Sequence, residues 1–289
     1  MRLKRKFDSG EFAVLAEIQP PKGVDVSAMV SGAMRVKGEV TAFMTPEMTN
    51  AEMRMSSLGA AVILQQKGME TVMQANCRDR NRLALQADLL AAGACEIPNI
   101  MAVKGEETTF GDHHQARPAH DIDTLDLIRA AAGLSAGADM SGVELMGAPD
   151  FLIGASADPG VGGKSAEMGI ADMKEKIEAG ARFFVTPPIF DPALIESFAK
   201  KIDMKDIRVT PTVLLLKSLG MARYIARNVA GIDIPDATID RIRKSRDKTR
   251  ECVEIAAETA REIRKQGFAG VLISTMGWED KLPDILKKI

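Results

Sequence analysis

The chain has 289 residues, 46% of them hydrophobic, and its 38 Lys and Arg against 40 Asp and Glu leave a net charge of −2. That is ample for one large buried core, and the balanced charge excludes the basic footprint of a nucleic-acid binder. No run approaches the roughly 18 apolar residues of a membrane span, and the basic start Met1-Arg2-Leu3-Lys4-Arg5-Lys6 leads into no long apolar stretch, so it does not read as a signal peptide.

Eight short apolar, β-branched runs follow one another at 14–19, 39–44, 71–77, 99–104, 151–157, 183–190, 208–215 and 270–276. Their length and Gly/Pro borders predict buried strands. Between them, helical spacing predicts helices over 51–67, 80–92, 123–133, 170–179, 192–200, 219–228 and 236–265. Pro235-Asp236 suits a helix start, and Gly180 and Gly267 suit helix ends. Strands alternating with helices eight times close most naturally into a parallel (β/α)8 TIM barrel spanning 1–289 as one domain. An open doubly wound sheet is the competitor, but no G-x-G-x-x-G follows the first strand. Two segments, 106–122 and 158–168, read as long loops. Three scattered cysteines, Cys77, Cys95 and Cys252, form no CxxC pair, which fits a reducing cytoplasm and argues against a Cys zinc site.

Active residues of such a barrel lie at the C-terminal ends of its strands. Glu17 stands in the apolar run Val14-Leu15-Ala16-Glu17-Ile18, where desolvation raises a carboxyl pKa and suits it to donate a proton near neutrality. The alternative is a carboxylate satisfied by a neighbouring Lys or Arg. Lys104-Gly105-Glu106 joins a cation, a flexible glycine and an anion, which fits a flat ligand or a phosphate as well as an ordinary strand-to-loop turn. His113, His114 and His120 share one loop with Asp112, but adjacent histidines seldom ligate one ion, so a mobile loop over the mouth is preferred to a metal site. Trp278 either stacks on a ligand or packs at the core edge.

Taken together, these strand ends resemble the methylenetetrahydrofolate reductase family over nearly the whole chain. The segments that carry the likeness are Ala16-Glu17-Ile18-Gln19-Pro20-Pro21-Lys22, the run from Cys77-Arg78-Asp79-Arg80-Asn81 to Leu90, and Asn99-Ile100-Met101-Ala102-Val103-Lys104-Gly105-Glu106. Ala179-Gly180-Ala181-Arg182-Phe183-Phe184-Val185-Thr186 and Phe190-Asp191 match the strand 6 motif. Phe110-Gly111-Asp112-His113 and Gly277-Trp278-Glu279 look like the short-chain, acetogen-type branch.

The resemblance implies a flavin, FAD or FMN, at the barrel mouth, passing hydride to a folate-type reduced pterin. Glu17 matches the family's acid, and Glu106 takes the place of its aspartate. Lys104 and Gly105 fall on the cofactor side, Lys176 matches a lysine near the cofactor phosphate, and Gln74, Asp121 and Ser156 align with other cofactor contacts. Gln19 and Thr186 fall on the substrate side. Electrons are expected from NAD(P)H or from a partner electron-transfer subunit, in an oligomer or hetero-complex. Three positions depart from the pattern: Pro187 replaces the glutamine that follows the strand 6 threonine, Glu106 is one methylene longer than Asp, and Asp158 replaces an aromatic. Pro187 offers no side-chain hydrogen bond to a pterin. Two other readings therefore remain, a flavin-free pterin-dependent methyl or methylene transferase and a non-catalytic subunit of a redox complex.

Overall fold

The computed structural model describes residues 1–160, 166–191, 196, 198, 200–201, 207–229 and 231–289. Most of the helix expected over 192–200 and part of the loop expected over 158–168 lie outside them.

Eight parallel strands close on themselves in sequence order: β1 (Ala13–Glu17), β2 (Ala42–Thr45), β3 (Thr71–Asn76), β4 (Asn99–Val103), β5 (Leu152–Ser156), β6 (Phe183–Pro188), β7 (Arg208–Leu214) and β8 (Gly270–Ser274), with β8 pairing β1. This is the expected (β/α)8 barrel. Most strands stop one or two residues short of the apolar runs because their last residues leave the ladder to form the mouth. After β1, the Ile18 amide still donates to the Met44 carbonyl at 2.9 Å, but Pro20 and Pro21 have no N–H to continue.

The described helices are α1 (Arg2–Ser9), α2 (Ser27–Val36), α3 (Ser57–Gln66), α4 (Arg82–Ala94), α5 (Thr124–Ser135), α6 (Ala166–Ala179), α7 (Leu219–Asn228), α8 (Asp236–Lys244), α9 (Lys248–Lys265) and α10 (Leu282–Leu286). Two expectations are corrected. The helix predicted over 51–67 begins only at Ser57, because Met48, Asn50 and Ala51 take left-handed φ of 49, 57 and 56° and the Ser56 hydroxyl caps the helix by accepting from the Gly59 amide. The helix predicted over 236–265 is two, since Asp247 starts a new one by accepting from the Arg250 amide. Helices α1, α2 and α10 lie outside the predicted set.

Side-chain alternation divides the barrel. Ala13, Leu15, Ala42, Met44, Val72, Met101, Leu152, Phe183, Val185 and Leu272 fill its interior. Their neighbours, such as Ala16, Phe43, Ile100 and Ile273, pack outward in the core under the helices. The base is sealed by α1, whose Leu3 and Phe7 are buried in the interior cluster, Phe7 lying 6.0 Å from the Phe183 ring. Glu70 fixes that helix by accepting the amides of Arg2 and Leu3 at its N-terminus.

Candidate active site

The alternation that turns Ala13 and Leu15 inward also turns Glu17 inward, one step above the packed interior and at the mouth. Glu17 is half-buried, and the Ser274 hydroxyl at the end of β8 donates to its Oε1 at 2.8 Å. Burial pushes its pKa above the usual glutamate value; the Ser274 hydrogen bond opposes this, and the nearby charges of Glu279 and Glu106 add to it. A carboxyl so placed favours its protonated form more than a surface glutamate does. It can deliver a proton to a base in the mouth.

Glu106 follows β4 and is half-exposed, with one carboxylate oxygen 3.8 Å from Arg78. Gly105 holds the turn at φ +84°, and a Cβ there would lie 2.6 Å from Asn76 Oδ1, so only glycine fits against β3. Lys104 is exposed and makes no hydrogen bond or ion pair with any described residue. Gln74, inward on β3, accepts from the Glu47 amide through Oε1 at 3.2 Å, while its Nε2 meets only the Met44 sulfur at 3.5 Å. A thioether is a weak acceptor, so this amide keeps most of its donor capacity. Gln19 lies beside Gly277, the residue that follows β8 and Met276.

The remaining expected residues are placed differently. Lys176 is buried on α6, and its ammonium donates to the Ser156 carbonyl at 2.8 Å and to Asp172 at 2.6 Å, which joins two of the expected cofactor contacts. Asp121 is exposed and holds Arg82 through both carboxylate oxygens. Thr186 is 5% exposed, and its hydroxyl is spent on backbone: it donates to the Pro187 carbonyl of its own strand and accepts from the Thr212 amide of β7. The structure brings Glu17, Glu106 and Gln19 to one rim with Gln74 just below, and it does not turn the Thr186 hydroxyl into that space. Glu279, half-buried beside Glu17, is a further member. The sequence offers it only as part of a closing motif.

The long loop after β4 is clamped rather than free. Asp112 receives the Lys22 ammonium from the β1 loop, the Met53 amide from the β2 loop at 3.0 Å, and the ring of His113. These hydrogen bonds hold its pKa well below the usual carboxylate range. A Cβ on Gly111 would stand 1.9 Å from the Ala51 carbonyl oxygen. Among the described residues, no group of three His, Cys, Asp or Glu could hold a metal ion. A separate cavity of about 590 Å3, lined by Arg223, Arg227, Asp233 and Asp236 among others, opens between α7 and α8 and includes no strand-end residue. Among the described residues, no helix is long and apolar enough to cross a membrane.

Comparison with known proteins follows the same lines. A family model described as methylenetetrahydrofolate reductase matches residues 2–289. A probable methylenetetrahydrofolate reductase (NADPH) of Caenorhabditis elegans is 25% identical over 253 residues, 81% of this chain and 34% of that protein. Methylenetetrahydrofolate reductase 2 of Schizosaccharomyces pombe is 21% identical over 216 residues, 69% of this chain and 31% of that protein. The chain thus spans about a third of the length of these relatives. Among solved structures, a Clostridium thermocellum protein described as binding two copies of 5-methyl-5,6,7,8-tetrahydrofolic acid superposes with a TM-score of 0.62 at 11% identity, covering 99% of this chain and 96% of that one. An oxaloacetate acetylhydrolase superposes at 0.56 with 10% identity, covering 98% and 82%. At such identities the likeness is one of fold. With the family match running from one end of the barrel to the other, the chain belongs to the methylenetetrahydrofolate reductase family.

Proposed function

We propose that this protein is a flavin-dependent reductase that interconverts 5,10-methylenetetrahydrofolate and 5-methyltetrahydrofolate, with Glu17 as the general acid. The observation that carries the reading is a half-buried carboxyl at the barrel mouth, bonded to Ser274 and biased by burial toward its protonated form.

The rim suits a flavin, whose ring edge is rich in carbonyl acceptors and whose tail carries phosphate. Gln74 has an under-used amide donor and Lys104 an ammonium without a partner among the described residues. On this reading Gln74, Lys104 and Gly105 line the ring side. Ser156, Lys176 and Asp121 serve the tail, with Lys176 exchanging Asp172 for phosphate. Bound reduced flavin, FAD or FMN, supplies the hydride. Everything else falls to the chain. Glu17 gives a proton to the bridging nitrogen of the methylene compound as its five-membered ring opens to an iminium cation. Glu106 lies close enough to place negative charge beside that cation in a site partly screened from water. Gln19 holds the pterin side, and Thr186 contributes through the strand it shapes. NAD(P)H or a partner electron-transfer subunit recharges the cofactor, in an oligomer or hetero-complex.

One observation favours a second reading, pterin-dependent methyl or methylene transfer without flavin. Pro187 stands where the resemblance places a hydrogen-bonding glutamine, and proline offers a pterin no side-chain hydrogen bond. An absorbance spectrum of the purified protein supplied with FAD or FMN separates the two. The reductase should be yellow and bleach when 5-methyltetrahydrofolate is added. Protein that stays colourless after reconstitution overturns the reductase reading, and retained affinity for the folate would then support transfer.

A further inference from the structure

Arg78 is the largest wholly buried side chain described, 2% exposed, and it stands directly behind the rim. A buried guanidinium must have its donors satisfied and its charge paired. Asp79 takes two of its donors in a fork, Nε to Oδ1 and Nη2 to Oδ2, both at 2.7 Å. Nη1 donates to the main-chain carbonyl of Glu106 at 2.9 Å, and Nη2 reaches the Met48 carbonyl at 3.4 Å. The Arg78 amide donates to Asn76 Oδ1 at 2.6 Å, and Asn76 is the side chain that Gly105 packs against. One cation therefore ties together the loops that follow β2, β3 and β4. Asp79 already neutralises it, yet the Glu106 carboxylate also leans to within 3.8 Å.

We infer that Arg78 is the positioning residue for Glu106: it grips the Glu106 main chain from behind and draws its carboxylate back, so that a half-exposed side chain acts as a fixed anion facing Glu17. The inference rests on the reductase reading only for the meaning of that anion. The grip itself is a property of the chain without cofactor. Lysine cannot replace it, because an ammonium is a point donor and cannot hold the Asp79 fork and the Glu106 carbonyl together.

The test is a cycle of Arg78→Gln, Glu106→Gln and the double variant in the flavin-loaded protein, with hydrogen exchange of the 104–112 amides in the cofactor-free protein. Displacing a reacting group by an ångström costs up to about 100-fold in rate. Arg78→Gln should lower kcat by about 10- to 100-fold while KM for 5-methyltetrahydrofolate and flavin content stay within about twofold. The double variant should be no slower than Glu106→Gln alone. Exchange at 104–112 should quicken while the strand amides keep their protection. Arg78→Lys should behave like Arg78→Gln, and it carries the same cycle if the glutamine variant does not fold. Losses that multiply in the double variant, or unaltered exchange at 104–112, overturn the inference. If the wild-type protein takes up no flavin, the reductase reading fails, and the exchange measurement still decides whether Arg78 holds Glu106.

Discussion

Glu17 owes its chemistry to strand parity. Two residues further down the same strand, Leu15 fills the interior; at 17 the carboxyl reaches the rim with Ser274 as its hydrogen-bond partner. A carboxyl whose pKa rises on folding weakens the fold as the pH climbs from its ordinary value of 4.5 through the raised one, because the unfolded chain releases the proton more readily than the folded state does. The contribution of Glu17 to stability is therefore greatest on the acid side and falls as pH rises. Glu17→Gln should raise the melting temperature in neutral and alkaline buffer, with the gain fading toward the usual glutamate value of 4.5, as thermal unfolding across pH will register. If Glu17 is the general acid of the proposed reductase, the same variant should lose about 100- to 10,000-fold in methylene reduction. The wild-type rate should decline with rising pH as Glu17 loses its proton, and the variant should lack that decline. This residue was legible in the sequence because a charge inside an apolar run is conspicuous. Arg78 was visible only as one letter of a charged motif. Nothing in Arg78-Asp79-Arg80 says which cation turns inward, and that depends on how three loops meet.

Strands were easier to read than the helices around them. Continuous Val/Ile/Met/Phe runs mark a parallel sheet buried on both faces, while α1 and α2 depend on the barrel they pack against. The β6–β7 seam shows a cost of the Pro187-Pro188 pair. Neither residue can donate to the ladder, the register shifts there, and the Thr212 hydroxyl donates to the Thr186 carbonyl at 2.6 Å instead. The histidine-bearing loop was expected to be mobile, yet Asp112 joins it to two others. Gly111 makes that join possible by close approach, since its φ of −89° is open to any residue. Gly111→Ala should push the loop off Ala51. Overpacking of this kind costs about 1–3 kcal/mol, to be measured by denaturant unfolding, with a higher KM for the folate as the loop leaves the rim.

At the level of the molecule, the base and the rim are separate constructions. Leu3 and Phe7 come from a helix that precedes the first strand, and none of the rim carboxylates touches them. Phe7→Ala should cost about 3–5 kcal/mol, the usual range for emptying a buried aromatic site. Turnover per folded molecule should be unchanged, because the hole opens beneath several layers of packed side chains. Equilibrium unfolding and kcat measured on the same sample check both halves of that expectation.

A cylinder stoppered by a segment that is not one of its staves can have its floor altered without disturbing its lip. Shaving the stopper would leave an apolar chamber under the barrel, dry and large enough to attract a small hydrocarbon or xenon. Such a guest would restore part of the lost stability, while the chemistry at the opposite end ran on unaware of the tenant below.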